Sequence, residues 1–400
     1  MDYQLRQITK DEFEAWLRAI SRGFGQHLNE AELEVYRPSV EEMLDRTVAV
    51  FDEDEIVGTA HSFPSEMNVP GCTVATAAIA AVTVQPTHRR RGILTRMAAH
   101  QLEDIHERGE PLAALFAQES IIYGRFGYGI GSVWEKWEID RQHTAYSLPH
   151  VPEGRIRFVD KAEARTVFPD VYRRALSSRP GAIQRPDARW DILLADVHPW
   201  PSGASNDFFV VHEQHGRVDG YALYRTEGEL LIVRELLAAT NEANASVWRF
   251  CFDVDLMAST EAWGRPPDDP LPWLLADSRR LRRSTFDGMW LRLVDVRAAL
   301  SARRYAAQDK LVLEVRDPFC GWNDGRYELE GGPDGAVCRT TSARPDIVLS
   351  AADLAATYLG TVSFTTLSQA GRVEERAQGA LPRADAMFAT QLQPWNPFGY

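Results

Sequence analysis

Positive charge is scarce in this chain. Its 400 residues carry 44 lysines and arginines against 57 aspartates and glutamates, a formal net charge of −13. Nucleic-acid binders show the opposite surplus, so this balance argues against a nucleic-acid partner. It suits a cationic small molecule, through long-range steering. Lysine itself is limited to Lys10, Lys136, Lys161 and Lys310, an arginine bias that fits a GC-rich genome better than a chemical need. The four cysteines, Cys72, Cys251, Cys320 and Cys338, stand far apart, with no CxxC pair and no zinc spacing. They predict reduced thiols in a cytosolic protein and no metal site. No apolar run reaches the roughly 18 residues of a membrane helix. The charged opening MDYQLRQITKDEFEAW has no signal-peptide core. Both predict a cytoplasmic protein with no membrane partner. There is no internal repeat, no GxGxxG and no Gly-Lys-Ser/Thr loop, so neither a dinucleotide fingerprint nor a Walker A loop is present.

What remains is an ordinary soluble composition, 44% hydrophobic and 25% charged, long enough for about three domains. Thr9–Glu12 reads as a capping segment before a helix over Glu12–Phe24. Arg37–Leu44 reads as a second helix. Thr47–Phe51 and Ile56–Pro64 flank an acidic turn and predict a hairpin. Val74–Val84, VATAAIAAVTV, predicts a buried strand, followed by an amphipathic helix over Gly92–Arg108 and a short strand at Leu112–Ala117. A boundary falls in Thr144–Gly154. The middle segment repeats the theme: helices at Ala162–Leu176, Asp187–Ala195 and Ala243–Asp255, and strands at Phe208–Glu213, Tyr221–Arg225 and Leu230–Leu237. The last segment opens near Gly288 with a strand and a helix, Val296–Arg304. Strands follow at Leu311–Asp317, Gly325–Glu330 and Pro345–Leu349, with helices at Ala351–Tyr358 and Ser363–Gly371. The expected domains are 1–146, 147–287 and 288–400.

Chemistry concentrates in Val82-Thr83-Val84-Gln85-Pro86-Thr87-His88-Arg89-Arg90-Arg91-Gly92-Ile93-Leu94. A buried strand runs into a basic turn that opens a helix. Such a turn aims backbone N–H groups and the positive end of the helix dipole at an anion. Arg89, Arg90 and Arg91 supply permanent cations for phosphate oxygens, and Gly92 lets the backbone approach a pyrophosphate. Taken alone, three arginines read as a solvated surface patch. Their context favours the anion site: a strand before, an apolar helix and a second strand after, then Ile122-Tyr123-Gly124-Arg125-Phe126-Gly127-Tyr128-Gly129.

On these residues the chain resembles the GCN5-related N-acetyltransferases. Arg89-x-x-Gly92-x-Leu94 is similar to their Gln/Arg-x-x-Gly-x-Gly/Ala pyrophosphate loop, with Leu94 where Gly or Ala is usual. Ile122–Tyr128 is similar to the FYxxxGF element after the fifth strand. HRRRGIL, IYGRFGYG and the ending DLAATYLG…AGRV…MF…PW resemble the Eis-type branch over essentially the whole chain. The resemblance implies an α+β protein with two tandem acetyltransferase folds, each a mixed sheet with flanking helices, and a C-terminal sterol-carrier-protein-like α+β domain. It implies acetyl-CoA as co-substrate, no metal, a small-molecule amine as partner and a homo-oligomer, a hexamer in that family. The middle segment offers Ala238-Ala239-Thr240-Asn241-Glu242-Ala243 where a phosphate loop would stand, and reads as a degenerate copy.

The same resemblance implies roles. Val82, Thr83 and Val84 would hold the pantetheine arm and polarise the thioester, with Arg89, Arg90, Arg91, Gly92 and Ile93 on the pyrophosphate. Tyr123 would be the general acid for the leaving thiolate; read on its own it is a core aromatic on a glycine-rich turn. The terminal carboxylate of Tyr400 would be the base. A chain end usually frays, but the tail QPWNPFGY is rich in aromatics and proline and predicts packing. Phe24, Gln26, His27 and Tyr36 match the region lining the substrate cleft. Gln26 and Gly399 stand where carboxylates are expected, which weakens the case for polycationic aminoglycosides. The alternative is an acyl-CoA- or lipid-binding protein without transferase activity.

Overall fold

The computed structural model describes residues 3–27, 37, 44–195 and 205–399. Contacts divide the chain into two compact units. One is Met1–Ser132 with Pro180–Gln184 and Asp287–Tyr400; the other is Val133–Arg179 with Arg185–Phe286.

The first unit opens with β1 (Gln4–Gln7) and α1 (Phe13–Gly23). Thr9 donates its N–H to Glu12 Oε2 at 2.8 Å, and the hydrogen-bonded Arg6 guanidinium holds that carboxyl down at about 2. Phe13, Trp16 and Leu17 recur at helical spacing and bury one face of α1 against Ala49, Phe51 and Ile56. Of the expected helix Arg37–Leu44, residues 38–43 lie outside the described residues. Next come β2 (Thr47–Asp52), β3 (Glu55–Val69), β4 (Cys72–Val84), α2 (Ile93–Glu107), β5 (Leu112–Phe116), α3 (Ser120–Tyr123) and β6 (Gly129–Ile130). β3 outruns its expected end at Pro64. β2 pairs with it only as far as His61. The next residues of the same parity, Glu66 and Asn68, bond outward to Gln184 and Ala182. Pro64 therefore points its missing N–H away from β4 and breaks no ladder bond.

The second unit carries β7 (Val133–Asp140), β8 (Arg155–Val159), α4 (Lys161–Ala175), α5 (Asp187–Leu193), β9 (Phe208–Gln214), β10 (Arg217–Glu227), β11 (Leu230–Ala238), α6 (Asn241–Asp253), β12 (Ser259–Arg265), α7 (Leu271–Leu274) and β13 (Arg282–Asp287). Its sheet runs β13-β7-β12-β11-β10-β9-β8. Trp137, Val210, Val233, Trp248 and Phe252 lie in its core. Arg185 is buried with Glu235 in a two-pronged ion pair that also receives the Tyr221 hydroxyl.

The chain then returns to the first unit with β14 (Met289–Leu293) and α8 (Val296–Ala302). The remaining elements are β15 (Asp309–Arg316), β16 (Gly325–Gly332), β17 (Gly335–Thr340), β18 (Ile347–Ser350), α9 (Ala351–Tyr358), α10 (Phe364–Gln369), β19 (Glu374–Glu375) and α11 (Ala380–Phe388). β14 does not start a new sheet. It pairs antiparallel with β5 and β6, so the first sheet runs β1-β2-β3-β4-β5-β14-β6. The C-terminal sheet runs β17-β16-β15-β18-β19. One core joins the two sheets: Met67, Leu112 and Leu291 from the first meet Leu313, Leu329, Tyr358 and Phe388 from the second half.

Close approach marks the seam. A Cβ on Gly129 of β6 would sit 2.0 Å from the Ala352 carbonyl oxygen and 2.7 Å from the Ala356 nitrogen on α9. Both are backbone atoms, so nothing swings aside. Gly129→Ala is expected to cost about 1–3 kcal/mol in urea unfolding; an unchanged midpoint would show that α9 can retreat.

Candidate active site

The site begins where β4 leaves its neighbours. Thr59 stands opposite Thr83 and His61 opposite Ala80. Ala81 and Val82 therefore face Ala60 alone, a bulge in which Ala81 adopts φ +57°. On the other side, β5 pairs in parallel with β4 only from Thr76 to Ile79 and ends at Phe116. From Ala80 to Val84 no strand among the described residues pairs with that edge of β4. The sheet opens as a wedge, and the backbone of Val82 and Val84 lies along one lip.

Below the wedge, Pro86–His88 forms a short turn, and Gly92 caps the 15-residue α2 at φ +77°. A left-handed residue here favours glycine, and a Cβ on Gly92 would meet nothing within 4 Å. Among the described residues no side chain caps the first turn of α2, whose leading N–H groups have no partner within the helix. The structure separates the three arginines. Arg91 donates to the Tyr3 hydroxyl at 2.7 Å. Arg89 reaches the Val84 carbonyl at 3.4 Å. Arg90, at φ +64°, makes no side-chain hydrogen bond among the described residues. His88 braces the turn through Asp52, 3.0 Å away. Ile93 is buried with Met97, Val50 and Val57. Leu94, where Gly or Ala is usual, is partly buried and packs on the core.

Tyr123 ends α3. Its ring lies edge-on to Tyr128 at 5.8 Å and to Phe126 at 6.5 Å. Phe126 and Tyr128 are buried packing residues, while Tyr123 is half-buried. Burial pushes its hydroxyl up to about 12. Val82, Leu94, Ile122 and Tyr123 pack against one cluster built on Ile79, Leu102, Leu115 and Phe126. The β4 lip, the start of α2 and the tyrosine thus converge.

The proposed acceptor side joins them through α1. A Cβ on Gly23 would lie 2.7 Å from Thr83 Cβ, and Gln85 donates to the Ala19 carbonyl at 2.7 Å. The end of α1 therefore abuts the bulged part of β4, with Phe24 44% exposed just beyond it and Gln26 and His27 exposed after that. Tyr36 lies outside the described residues.

The tail packs. Trp395 and Asn396 are 3% and 0% exposed. Trp395 N–H donates to the Pro180 carbonyl at 2.8 Å. Asn396 accepts from Ile183 N–H at 3.0 Å and donates to the Phe398 carbonyl at 2.5 Å. The strap Pro180–Gln184 is itself bonded to β3 at Asn68 and Glu66. A Cβ on Gly181 would lie 3.4 Å from Trp395 N and 3.5 Å from Met289 Cε, and Met289 pairs with Phe116 at the mouth of the wedge. Tyr400 lies outside the described residues. Neither Asn396 nor Thr59 stands out in the sequence; the only signal is that Asn396 is set within an otherwise aromatic and proline-rich tail.

In the second unit the corresponding turn is closed to anions. Thr240 caps α6 through Ala243 N–H at 3.1 Å, and its hydroxyl donates to Asp219 at 3.0 Å. A carboxylate is held beside the helix N-terminus, where a phosphate would be repelled. Among the described residues no group of three or more His, Cys, Asp or Glu side chains could hold a metal, and no helix is long and apolar enough to cross a membrane.

Known proteins share this fold and sequence pattern. Residues 4–131 and 181–297 match two acetyltransferase (GNAT) domain families, and residues 296–397 match the sterol carrier protein domain. An uncharacterized N-acetyltransferase of Streptomyces avermitilis is 39% identical over the full length of both chains. The N-acetyltransferase Eis of Mycobacterium tuberculosis is 37% identical across 86% of each. The crystal structure of Eis1 from Mycobacterium abscessus is similar over the whole of both chains, with a TM-score of 0.86 at 33% identity. The chain belongs to the Eis-type GCN5-related N-acetyltransferases, acyltransferases with two acetyltransferase folds and a sterol-carrier-protein-like domain.

Proposed function

We propose that the protein transfers the acetyl group of acetyl-CoA directly to a primary amine, with Tyr123 as general acid and the Tyr400 carboxylate as base. The observation that carries this reading is the convergence of Val82, Leu94 and Tyr123 on one cluster beside the open wedge. The neutral amine attacks the thioester carbon. A C–N bond forms, the C–S bond breaks, and the electron pair leaves on sulfur. Backbone N–H groups on the β4 lip steady the developing oxyanion. The Tyr123 hydroxyl gives its proton to the sulfur, and the terminal carboxylate takes the ammonium proton, directly or through a water. An α-carboxyl with a pKa of roughly 3.3–3.7 is a weak base, so a water relay suits it. The acceptor is a primary amine of the aminoglycoside, lysine or polyamine class; Gln26 and Gly399, where the resemblance leads to carboxylates, weaken the case for polycationic aminoglycosides within it. The same reading extends to a cytoplasmic homo-oligomer, a hexamer by family resemblance.

The uncapped N–H groups of α2, the open space at Gly92 and the unengaged Arg90 suit a pyrophosphate. Replacing Arg89 and Arg90 together with alanine is expected to weaken acetyl-CoA binding, at about 1.5–3 kcal/mol per charge-assisted contact. Arg91→Ala should cost less, because Tyr3 already occupies that guanidinium. Calorimetry with acetyl-CoA checks this, and an unchanged Kd for the double variant removes the pyrophosphate assignment. Release of CoA thiol across a panel of amines tests the reaction itself. Acetyl-CoA binding without amine-dependent thiol release would leave only a binding protein.

A further inference from the structure

We propose that Thr59 is a positioning residue for acetyl transfer, its hydroxyl pinning the β4 bulge that aims the Val82 backbone at the thioester. The inference rests on the assignment of Val82 and Val84 to the acetyl-CoA thioester. Ala81 sits at φ +57°, a conformation alanine keeps only where its surroundings enforce it. The enforcing contact is visible. Thr59 Oγ1 donates to the Ala81 carbonyl at 2.8 Å, and the Thr59 and Thr83 hydroxyls are 2.8 Å apart. With the Thr59 proton on Ala81, the Thr83 hydroxyl must donate to Thr59. The result is a relay, Thr83 to Thr59 to the Ala81 carbonyl, running across the bulge. Thr59 is 0% exposed and Thr83 6%, so water is poorly placed to take over the bond. Without that donor the Ala81 carbonyl loses this bond, and the extra residue of the bulge is freer to shift along β4. A shift of one residue exchanges the backbone groups that face the wedge.

Three variants test this in the full-length protein. Thr59→Val removes the hydroxyl at nearly constant shape, Thr59→Ser keeps it, and Thr59→Ala repeats the deletion should valine impair folding. The readouts are amide hydrogen exchange over residues 79–84, kcat, and KM for acetyl-CoA. In Thr59→Val, exchange there should speed up and kcat should fall at least about tenfold, since small misplacements at a reacting centre are costly. KM for acetyl-CoA should rise less than kcat falls, because the pyrophosphate loop is untouched. Thr59→Ser should stay within about threefold of the parent. Equal losses in Thr59→Ser and Thr59→Val would reduce Thr59 to packing. Unchanged exchange in Thr59→Val would overturn the pin itself. Faster exchange with normal kcat and KM would leave the pin but remove the thioester from the bulge, and the positioning role with it.

Discussion

Replacing Tyr123 with phenylalanine is expected to lower kcat by about 10²–10⁴ while acetyl-CoA binds as before. The ring contacts with Tyr128 and Phe126 survive the change, so the packing that holds the turn is kept and only the proton is lost. The direction of the hydroxyl's shift makes a second prediction. Burial disfavours the phenolate and lifts the group to about 12, against roughly 10 for a free tyrosine. The neutral, proton-donating form therefore persists throughout the physiological range. The basic limb of the kcat profile that belongs to this residue should not begin until well above pH 10. The same burial holds the proton more tightly, which makes Tyr123 a weaker acid and places the loss in the lower half of that range. Activity within a few-fold of the parent would reduce Tyr123 to a packing residue. A normal parent rate that falls with an apparent pKa near 8 would assign the limb to another group.

Much of the wedge was legible because its signals are local. The run VATAAIAAVTV carries β4, the amphipathic face of residues 93–107 carries α2, and Gly92 marks the join. The bulge was not legible: Ala81 looks like any alanine in a strand, and its conformation is imposed by a hydroxyl on β3. β14 was readable as a strand but not as a member of the first sheet, because its partners Leu112–Phe116 lie far back in the sequence. β7 carries no plain strand signal in the sequence, although Glu135, Trp137 and Ile139 alternate inward. A buried glutamate interrupts the apolar pattern, and its partner Arg283 is equally remote. Pro64 read as a strand end because nothing local reveals that its N–H position faces away from β4. In the sequence the three arginines look equivalent, and it is the folded position of Tyr3 that separates Arg91 from the others. In each case a contact made by chain distant in sequence decided the outcome.

Deleting Phe398–Tyr400 is expected to abolish transfer and leave acetyl-CoA binding intact. The two functions draw on separate parts of the chain: the proposed acetyl-CoA site lies in residues 82–94, whereas the tail is fixed by Trp395 and Asn396 on the strap Pro180–Gln184. Those anchors remain in the truncated chain, so the fold should persist, with some loss where Phe398 packs on the core. The anchor neighbours Met289, whose strand partner is Phe116 at the mouth of the wedge, and this placement is what motivates the proposed role of the terminal carboxylate. A C-terminal tag should hurt nearly as much as the deletion, because it moves the charge away while keeping every anchoring contact. Amidation of the terminus is the sharper version: it removes the charge at almost constant shape. If the carboxylate serves as the base, the amidated enzyme should lose kcat at neutral pH and recover part of it as the pH rises, when more of the amine is already neutral. If it served only to hold the tail, amidation would leave the rate unchanged. Normal turnover in the tagged or amidated protein would return the search to His27, exposed after α1, and His88, paired with Asp52 beside the arginine turn.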